Sequence, residues 1–249
     1  MRTSDVGKGW NIQQGNKRRV LYDTDDLRAI MGSTLRPGGF SLTNRAMSFC
    51  RFPTDAVIGD IGCGLGGTME HLAATYGIRS IGIDPSSTLL SAAQQNISTF
   101  YAAQGIAEAL PFRSNACDGI VCECVLSVVT DSDMALAEFA RVLKPGGYLI
   151  MSDVYLRPQG CTTRPAPQRG LGCPKERCEI EHLLYRNDFS LLLFEDHTTL
   201  LKELVAQLIL AHGSLKASGV PCPPVSAGEG SRPTVRIGYF LAVAERCVS

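Results

Sequence analysis

Asp60-Ile61-Gly62-Cys63-Gly64-Leu65-Gly66-Gly67-Thr68 joins a short apolar strand, Ala56 to Ile61, to a helix read over Gly67 to Tyr76. Glycines in such a turn let the backbone pass close beneath a ligand, and the helix that follows aims free N–H groups and its positive dipole end at it. A second strand, Arg79 to Ile83, ends at Asp84, where a carboxylate can accept both hydroxyls of a ribose. Strand, glycine turn, helix, strand and acid together point to a nucleoside-bearing ligand on a parallel sheet.

Outward from this segment the alternation continues. A helix is expected from Ser86 to Asn96, strands at Thr99 to Ala103 and Gly119 to Val125, and a helix from Asp133 to Leu143 capped by Asp131 or Ser132. Lys144-Pro145-Gly146-Gly147 ends that helix and turns the chain into a strand, Tyr148 to Val154. Further on come a helix near Lys175 to Arg186, a strand Ser190 to Glu195, a helix Thr198 to His212 and a last strand Val235 to Ala244. The fold class is therefore α/β. Residues 1–50 read as a leader or lid segment and 51–249 as the domain proper. Its irregular loops at 157–177 and 214–233 are rich in Pro and Gly.

Composition narrows the function classes. Lys plus Arg and Asp plus Glu number 24 each, which removes the broad positive field that nucleic-acid binders use. The Lys17-Arg18-Arg19 run is read as a solvated surface feature. No apolar stretch is long enough for a membrane span, and the N-terminus is polar. A cytoplasmic protein with no membrane or nucleic-acid partner is expected, its 10 cysteines held as thiols. Nothing in the sequence specifies the oligomeric state.

Gly62, Gly64 and Gly67 also satisfy the G-x-G-x-x-G spacing of nicotinamide dinucleotide enzymes. Asp60 argues against that ligand. A carboxylate just before the turn repels a pyrophosphate lying over the loop but pairs with the ammonium of an amino acid, which favours S-adenosylmethionine.

Four segments carry a resemblance to class I S-adenosylmethionine-dependent methyltransferases, specifically the type 11 small-molecule branch, over approximately Ala56 to Tyr155. They are Asp60 to Gly66, Gly82-Ile83-Asp84, Ala107-Glu108-Ala109-Leu110-Pro111-Phe112, and Arg141-Val142-Leu143-Lys144-Pro145-Gly146-Gly147. The resemblance implies a Rossmann-like seven-stranded sheet with helices on both faces and an antiparallel last strand. It implies S-adenosylmethionine as cofactor and transfer of its methyl group to a small molecule. Asp60 and the backbone of Gly62, Cys63, Gly64 and Gly66 then resemble a methionine-end site and Asp84 a ribose clamp. Pro85 and Ser86 resemble a wall of the adenine pocket, with Ile106 and Ala107 beside the adenine edge. Ile106 departs from the pattern, since relatives often place an aspartate there. Glu123 and Cys124, at the end of the fourth strand, face the methionine portion in relatives.

Methyl transfer is an in-line displacement in which the protein mainly holds a nucleophile near the methyl carbon and excludes water. Should the acceptor need deprotonation, Glu123, Asp153, His182 and His197 are the available bases, Asp153 the best placed at a strand's carboxyl end. Catalytic candidates are thus Glu123, Cys124 and Asp153. Cys124 and Cys173 also resemble the placement of two thiols in arsenite methyltransferases, although Met69 stands where those enzymes often carry a further cysteine. The thiols of Cys122 and Cys124 are expected on opposite faces of the strand, and no metal site is assigned, Cys173 and Cys178 being spaced more widely than the commonest zinc pair. Arg36, in Leu35-Arg36-Pro37-Gly38-Gly39, either contacts an anionic substrate or shapes a turn. Three other readings stand beside the small-molecule methyltransferase: a metalloid or thiol methyltransferase using Cys124 and Cys173, a cofactor-binding accessory protein without turnover, and a dinucleotide oxidoreductase.

Overall fold

A computed structural model of the chain describes residues 34, 36–97, 100–157, 174–212 and 236–248. The centre of the sheet is β1, Val57–Ile61, a short strand with Ile58 to Ile61 buried. Burial on both faces is what a continuous apolar run in a parallel sheet demands. β2 (Arg79–Asp84) lies on one side of it and β4 (Cys117–Glu123) on the other, both parallel. β3 (Ala102–Gln104) extends the first side, and β5 (Leu143–Arg157) the second. β7 (Arg236–Arg246) pairs antiparallel with β5 and with β6 (Phe189–Asp196). The result is a seven-stranded sheet in the order β3-β2-β1-β4-β5-β7-β6, with its last strand antiparallel as expected.

Six described helices flank it. They are α1 (Ser41–Phe49), α2 (Gly67–Tyr76), α3 (Ser87–Asn96), α4 (Ser132–Val142), α5 (Arg177–Arg186) and α6 (Thr198–His212). Asp131 is the cap of α4, its carboxylate accepting from the Asp133 and Met134 N–H groups. One core lies where Ile120, Cys122 and Phe240 meet Phe139 of α4 and Leu184 of α5. The other joins Val121, Ile150 and Tyr239 to Leu72 of α2 and to Leu42 and Met47 of α1. Helix α1, within the segment read as a leader, is thus built into a core. None of the helices among the described residues is long and apolar enough to cross a membrane.

Two expectations are corrected. The strand placed at Thr99 to Ala103 is confined to Ala102–Gln104, because Phe100 is turned onto the glycine loop, where its ring lies 2.7 Å from the position a Cβ on Gly66 would take. Lys144-Pro145-Gly146-Gly147 does not separate helix from strand. Pairing runs from Cys117↔Leu143 to Gly119↔Tyr148, so the four residues form an irregularity within β5. Gly146 takes φ 76° there, and a Cβ on Gly147 would meet two backbone carbonyls at 2.9 and 3.0 Å.

The chain leaves β1 toward β2 and β3, then returns to β4 on the opposite side. In an open α/β sheet that reversal opens a crevice at the carboxyl ends of the two central strands, here Ile61 and Glu123. Gly62 begins the loop that floors it, at φ 79°, with its N–H donating to Ile83 O at 2.7 Å. A Cβ at Gly62 would collide with Val125 Cγ2, whereas at Gly64, φ 51°, it would meet nothing within 4 Å. Gly62→Ala should therefore destabilise the fold by more than about 2 kcal/mol, combining overpacking with left-handed strain. Gly64→Ala should carry the strain alone, about 1 to 2 kcal/mol. Chemical denaturation of both variants gives the comparison, and equal losses would mean that the loop is not packed as described.

Candidate functional site

Three carboxylates come to the crevice from adjacent strands, Asp84 from β2, Asp60 from β1 and Glu123 from β4. Asp84 ends β2, and its position is fixed by backbone donors: Gly64 N–H to Oδ2 at 2.9 Å and Ser86 N–H to Oδ1 at 2.7 Å. These bonds fix the orientation of the Asp84 carboxylate. One of them ties Asp84 directly to the glycine loop. Ser86, itself buried, caps α3 by accepting from Leu89 N–H at 3.3 Å. Pro85 is exposed beside it, with its carbonyl accepting from the Gln104 amide at 3.0 Å. Cys63 is buried in the loop, against the positions that a Cβ on Gly82 would enter.

Asp60 is 4% exposed, and its Oδ2 has no hydrogen-bond partner. Burial first, then the neighbouring Glu123 carboxylate, push its carboxyl up to about 8. Arg36 pulls in the other direction, and Asp84 adds to the rise. An unpaired buried carboxylate is costly, and remaining protonated is how a protein avoids that cost. Glu123 at the end of β4 is paired. Arg36 Nη1 lies 3.0 Å from Glu123 Oε2, with side-chain exposures of 6% and 4%. Thr43 of α1 donates to Glu123 Oε1 at 2.9 Å and Thr68 of α2 to Oε2 at 3.2 Å. The guanidinium in turn donates to Thr68 Oγ1 at 2.9 Å and to Thr43 Oγ1 at 2.7 Å. Arg36 therefore meets an acid of its own chain. Phe40, stacked on His71 of α2 at 4.0 Å, adds a second anchor to the same segment.

On the side assigned to an adenine, Ile106 is 45% exposed and Ala107 is 5% exposed. Two of the sequence motifs meet here. Glu138 and Arg141 form an ion pair on α4 at 2.6 Å; the first accepts from Leu110 N–H and the second donates to the carbonyls of Leu110 and Phe112. The segment around Ala107 is thus held by the helix that leads into Lys144-Pro145-Gly146-Gly147, which explains why both motifs occur together.

The residues read as bordering an acceptor have structural partners. Asp153 is 2% exposed, and its oxygens accept from Ser127 N–H and Oγ, each at 2.8 Å, and from Val154 N–H at 2.7 Å. Burial lifts its carboxyl to about 6 despite those bonds. It holds the loop after β4 in place. Cys124 adopts φ 58°, with its sulfur 3.0 Å from the Tyr239 hydroxyl, which donates to Ser152 Oγ at 3.2 Å. Burial pushes the Cys124 thiol up to about 12, which keeps it protonated, unlike the thiolate that binds soft metals. Alternation alone would put Cys122 and Cys124 on one face. The left-handed turn at Cys124 separates them instead, Cys122 packing in one core and Cys124 against the other.

Cys173 lies outside the described residues. No group of three or more His, Cys, Asp or Glu able to hold a metal occurs among those described. His182 is exposed on α5, and His197 is held at 3.0 Å by Glu195. Thr43, Thr68, Ser127 and Tyr239 were not singled out in the sequence. Only Thr68, just inside the helix that follows the glycine turn, carried a positional signal.

The orphaned Asp60 oxygen and the open space over Gly64 fit a ligand with an ammonium group and a chain that crosses the loop closely. Comparison with known proteins agrees with that chemistry. Residues 59–151 match the family model described as a methyltransferase domain. A ubiquinone/menaquinone biosynthesis C-methyltransferase of Campylobacter jejuni is 34% identical over 112 residues, which are 43% of this chain and 48% of that protein. The chain spans about half the length of the curated relatives it matches. Phosphoethanolamine N-methyltransferase 2 of Haemonchus contortus, in complex with S-adenosyl-L-methionine, superposes with TM-score 0.71 at 18% identity, covering 93% of this chain and 60% of that one. The [4+2]-cyclase SpnF superposes with TM-score 0.67 at 21% identity, covering 92% and 86%. These two likenesses establish the fold.

The state of Asp60 leaves a mark on stability. Its folded value of about 8 lies above the value of about 4 in an unfolded chain, so between those limits the folded protein binds the extra proton and stability falls as pH rises. Asp153 adds to this fall only up to about 6. Asp60→Asn should therefore raise the melting temperature of the ligand-free protein by an amount that grows from pH 5 to pH 8. A variant no more stable at pH 8 than at pH 5, relative to the parent, would contradict this assignment.

Proposed function

We propose that this chain, whose residues 59–151 match a methyltransferase domain, is a class I S-adenosylmethionine-dependent methyltransferase that transfers a methyl group from that cofactor to a small-molecule acceptor. The observation that carries the reading is the orphaned Asp60 carboxylate beneath a glycine loop tied to Asp84. Bound S-adenosylmethionine supplies a methyl group already activated on a sulfonium. The protein's task is to hold the cofactor and admit an acceptor to it.

Asp60, beside the paired Glu123, receives the ammonium of the methionine end, and the N–H groups of the loop and of the start of α2 receive its carboxylate. Asp84, oriented by its two backbone donors, accepts the ribose hydroxyls. Pro85 and Ser86 wall the base, with Ala107 and the partly exposed Ile106 along its edge. A pyrophosphate would bring two negative charges against Asp84 and Glu123, with Arg36 the one cation beside them among the described residues, and would leave the raised Asp60 carboxyl without the counter-charge an ammonium brings, so a dinucleotide is disfavoured.

Glu123 is held by Arg36 and two threonine hydroxyls, and Asp153 by Ser127, so both act in positioning. Cys124, protonated and bonded to Tyr239, shapes the turn that borders the acceptor. Catalysis then rests on orientation and exclusion of water, and the acceptor brings its own nucleophile.

The reading is tested by incubating the protein with methyl-labelled S-adenosylmethionine and a fraction of small metabolites. Label should appear in a low-molecular-weight product, and Asp84→Ala should reduce its formation at least about 100-fold through lost cofactor binding, as expected when a buried hydrogen-bonding partner is removed. Cys124→Ser should retain activity within about tenfold, since the hydroxyl keeps a hydrogen bond to Tyr239. Full activity in Asp84→Ala would remove the ribose assignment, and loss of all activity in a folded Cys124→Ser would restore a catalytic thiol.

A further inference from the structure

We infer that the Asp60 carboxyl gives up a proton when the amino-acid end of the cofactor enters, so that the crevice distinguishes ligands with an ammonium from nucleosides that lack one by exchanging one positive charge for another. This inference rests on the cofactor reading above and adds the ionic event that accompanies binding.

The geometry supporting it is a charge array in which one member has no partner. Glu123, on β4, is satisfied by Arg36, Thr43 and Thr68. Asp84, on β2, accepts from two backbone N–H groups. Asp60, on β1 between them, keeps Oδ2 buried and unbonded. The groups that act on it are those two carboxylates and the single guanidinium of Arg36 from the segment before α1. The thiols of Cys63, in the glycine loop, and Cys122, on β4, are pushed up by burial and by Asp60 itself, so they stay neutral and supply no counter-charge.

With three acids and one base enclosed, the cheapest ligand-free state is a neutral Asp60, in agreement with its raised value of about 8. Arrival of an ammonium supplies the missing cation. The carboxyl ionises against it, the O–H bond breaks, and the proton passes to solvent buffer; the ligand ammonium keeps all three of its protons. Nothing is oxidised or reduced. The linked proton belongs to the amino-acid end, so S-adenosylhomocysteine, which carries the same ammonium without the sulfonium charge, should release it as well. A nucleoside such as 5′-methylthioadenosine, which has ribose and base but no ammonium, should bind without releasing it. Because the proton must leave, affinity for the amino-acid-bearing ligand should rise with pH up to the value of Asp60 and level off above it.

The experiment is calorimetric titration of the full chain with S-adenosylhomocysteine at about pH 6.8, below the pKa of an α-ammonium, in phosphate and in imidazole buffer. Close to one proton per ligand should be released, making binding more exothermic in imidazole, whose protonation gives out heat. Affinity should increase by about tenfold per unit between pH 6 and pH 7.5. 5′-Methylthioadenosine should give the same heat in both buffers. Asp60→Asn, whose fold is checked by thermal melting, should bind without release. Equal heats for S-adenosylhomocysteine in both buffers, with binding intact, overturn the proton exchange while leaving the cofactor reading in place. Undiminished release from Asp60→Asn assigns the proton to another group and overturns it too. Absence of binding by both ligands overturns the cofactor reading and this inference with it.

Discussion

A carboxylate at the end of the central strand, buried and short of a partner, is the constraint around which this crevice is arranged. Every neighbour bears on it. Glu123 and Asp84 stand on the flanking strands as like charges, and Arg36 reaches in as the single cation. Arg36 can do so because α1 packs into the second core through Leu42, Ala46 and Met47, and because Thr43 and Thr68 divide the guanidinium between two helices. The glycine loop is shaped by the same requirement. It leaves open space beside Gly64 while its own N–H groups reach Ile83 and Asp84. Leaving a buried oxygen of Asp60 without a partner costs stability.

Much of this was legible in the sequence. Periodicity located six strands to within a few residues and the helix Gly67–Tyr76 to its ends, since a glycine at each boundary takes a left-handed conformation that closes it. The joining of the glycine loop to Asp84 was legible too, because it involves one continuous loop and the acid that follows it. The acceptor side was not. Arg36 and Glu123 are far apart in the chain, and no local pattern predicts that they will meet. Asp153 sits at the strand end where a base would be expected, yet its oxygens are engaged by Ser127, a residue without any signature. Cys124 was read through its chemistry, whereas its left-handed backbone and its bond to Tyr239, on a strand near the far end of the chain, decide its role. Contacts made only by the tertiary fold are what sequence patterns omit.

The fold is shared with an N-methyltransferase and with a [4+2]-cyclase. Architecture by itself therefore leaves the reaction open, and the site has to carry the functional argument. On the proposed reading the site carries that argument for the cofactor, with Asp60 matched to an ammonium, Asp84 to a ribose and the glycine loop to the chain between them. It speaks less for any particular acceptor. The side chains nearest the putting-together of β4 and β5, Glu123, Cys124 and Asp153, are committed to Arg36, Tyr239 and Ser127.

The most direct test of the central claim is the binding preference of the crevice. Calorimetric titration with S-adenosylmethionine and, separately, with oxidised and reduced nicotinamide dinucleotides compares a ligand that brings an ammonium with ligands that bring a pyrophosphate. Saturable binding of S-adenosylmethionine alone is the predicted result. Binding of a dinucleotide in its place would contradict the account at its centre, because the crevice would then receive an anion where Asp60 is argued to receive a cation.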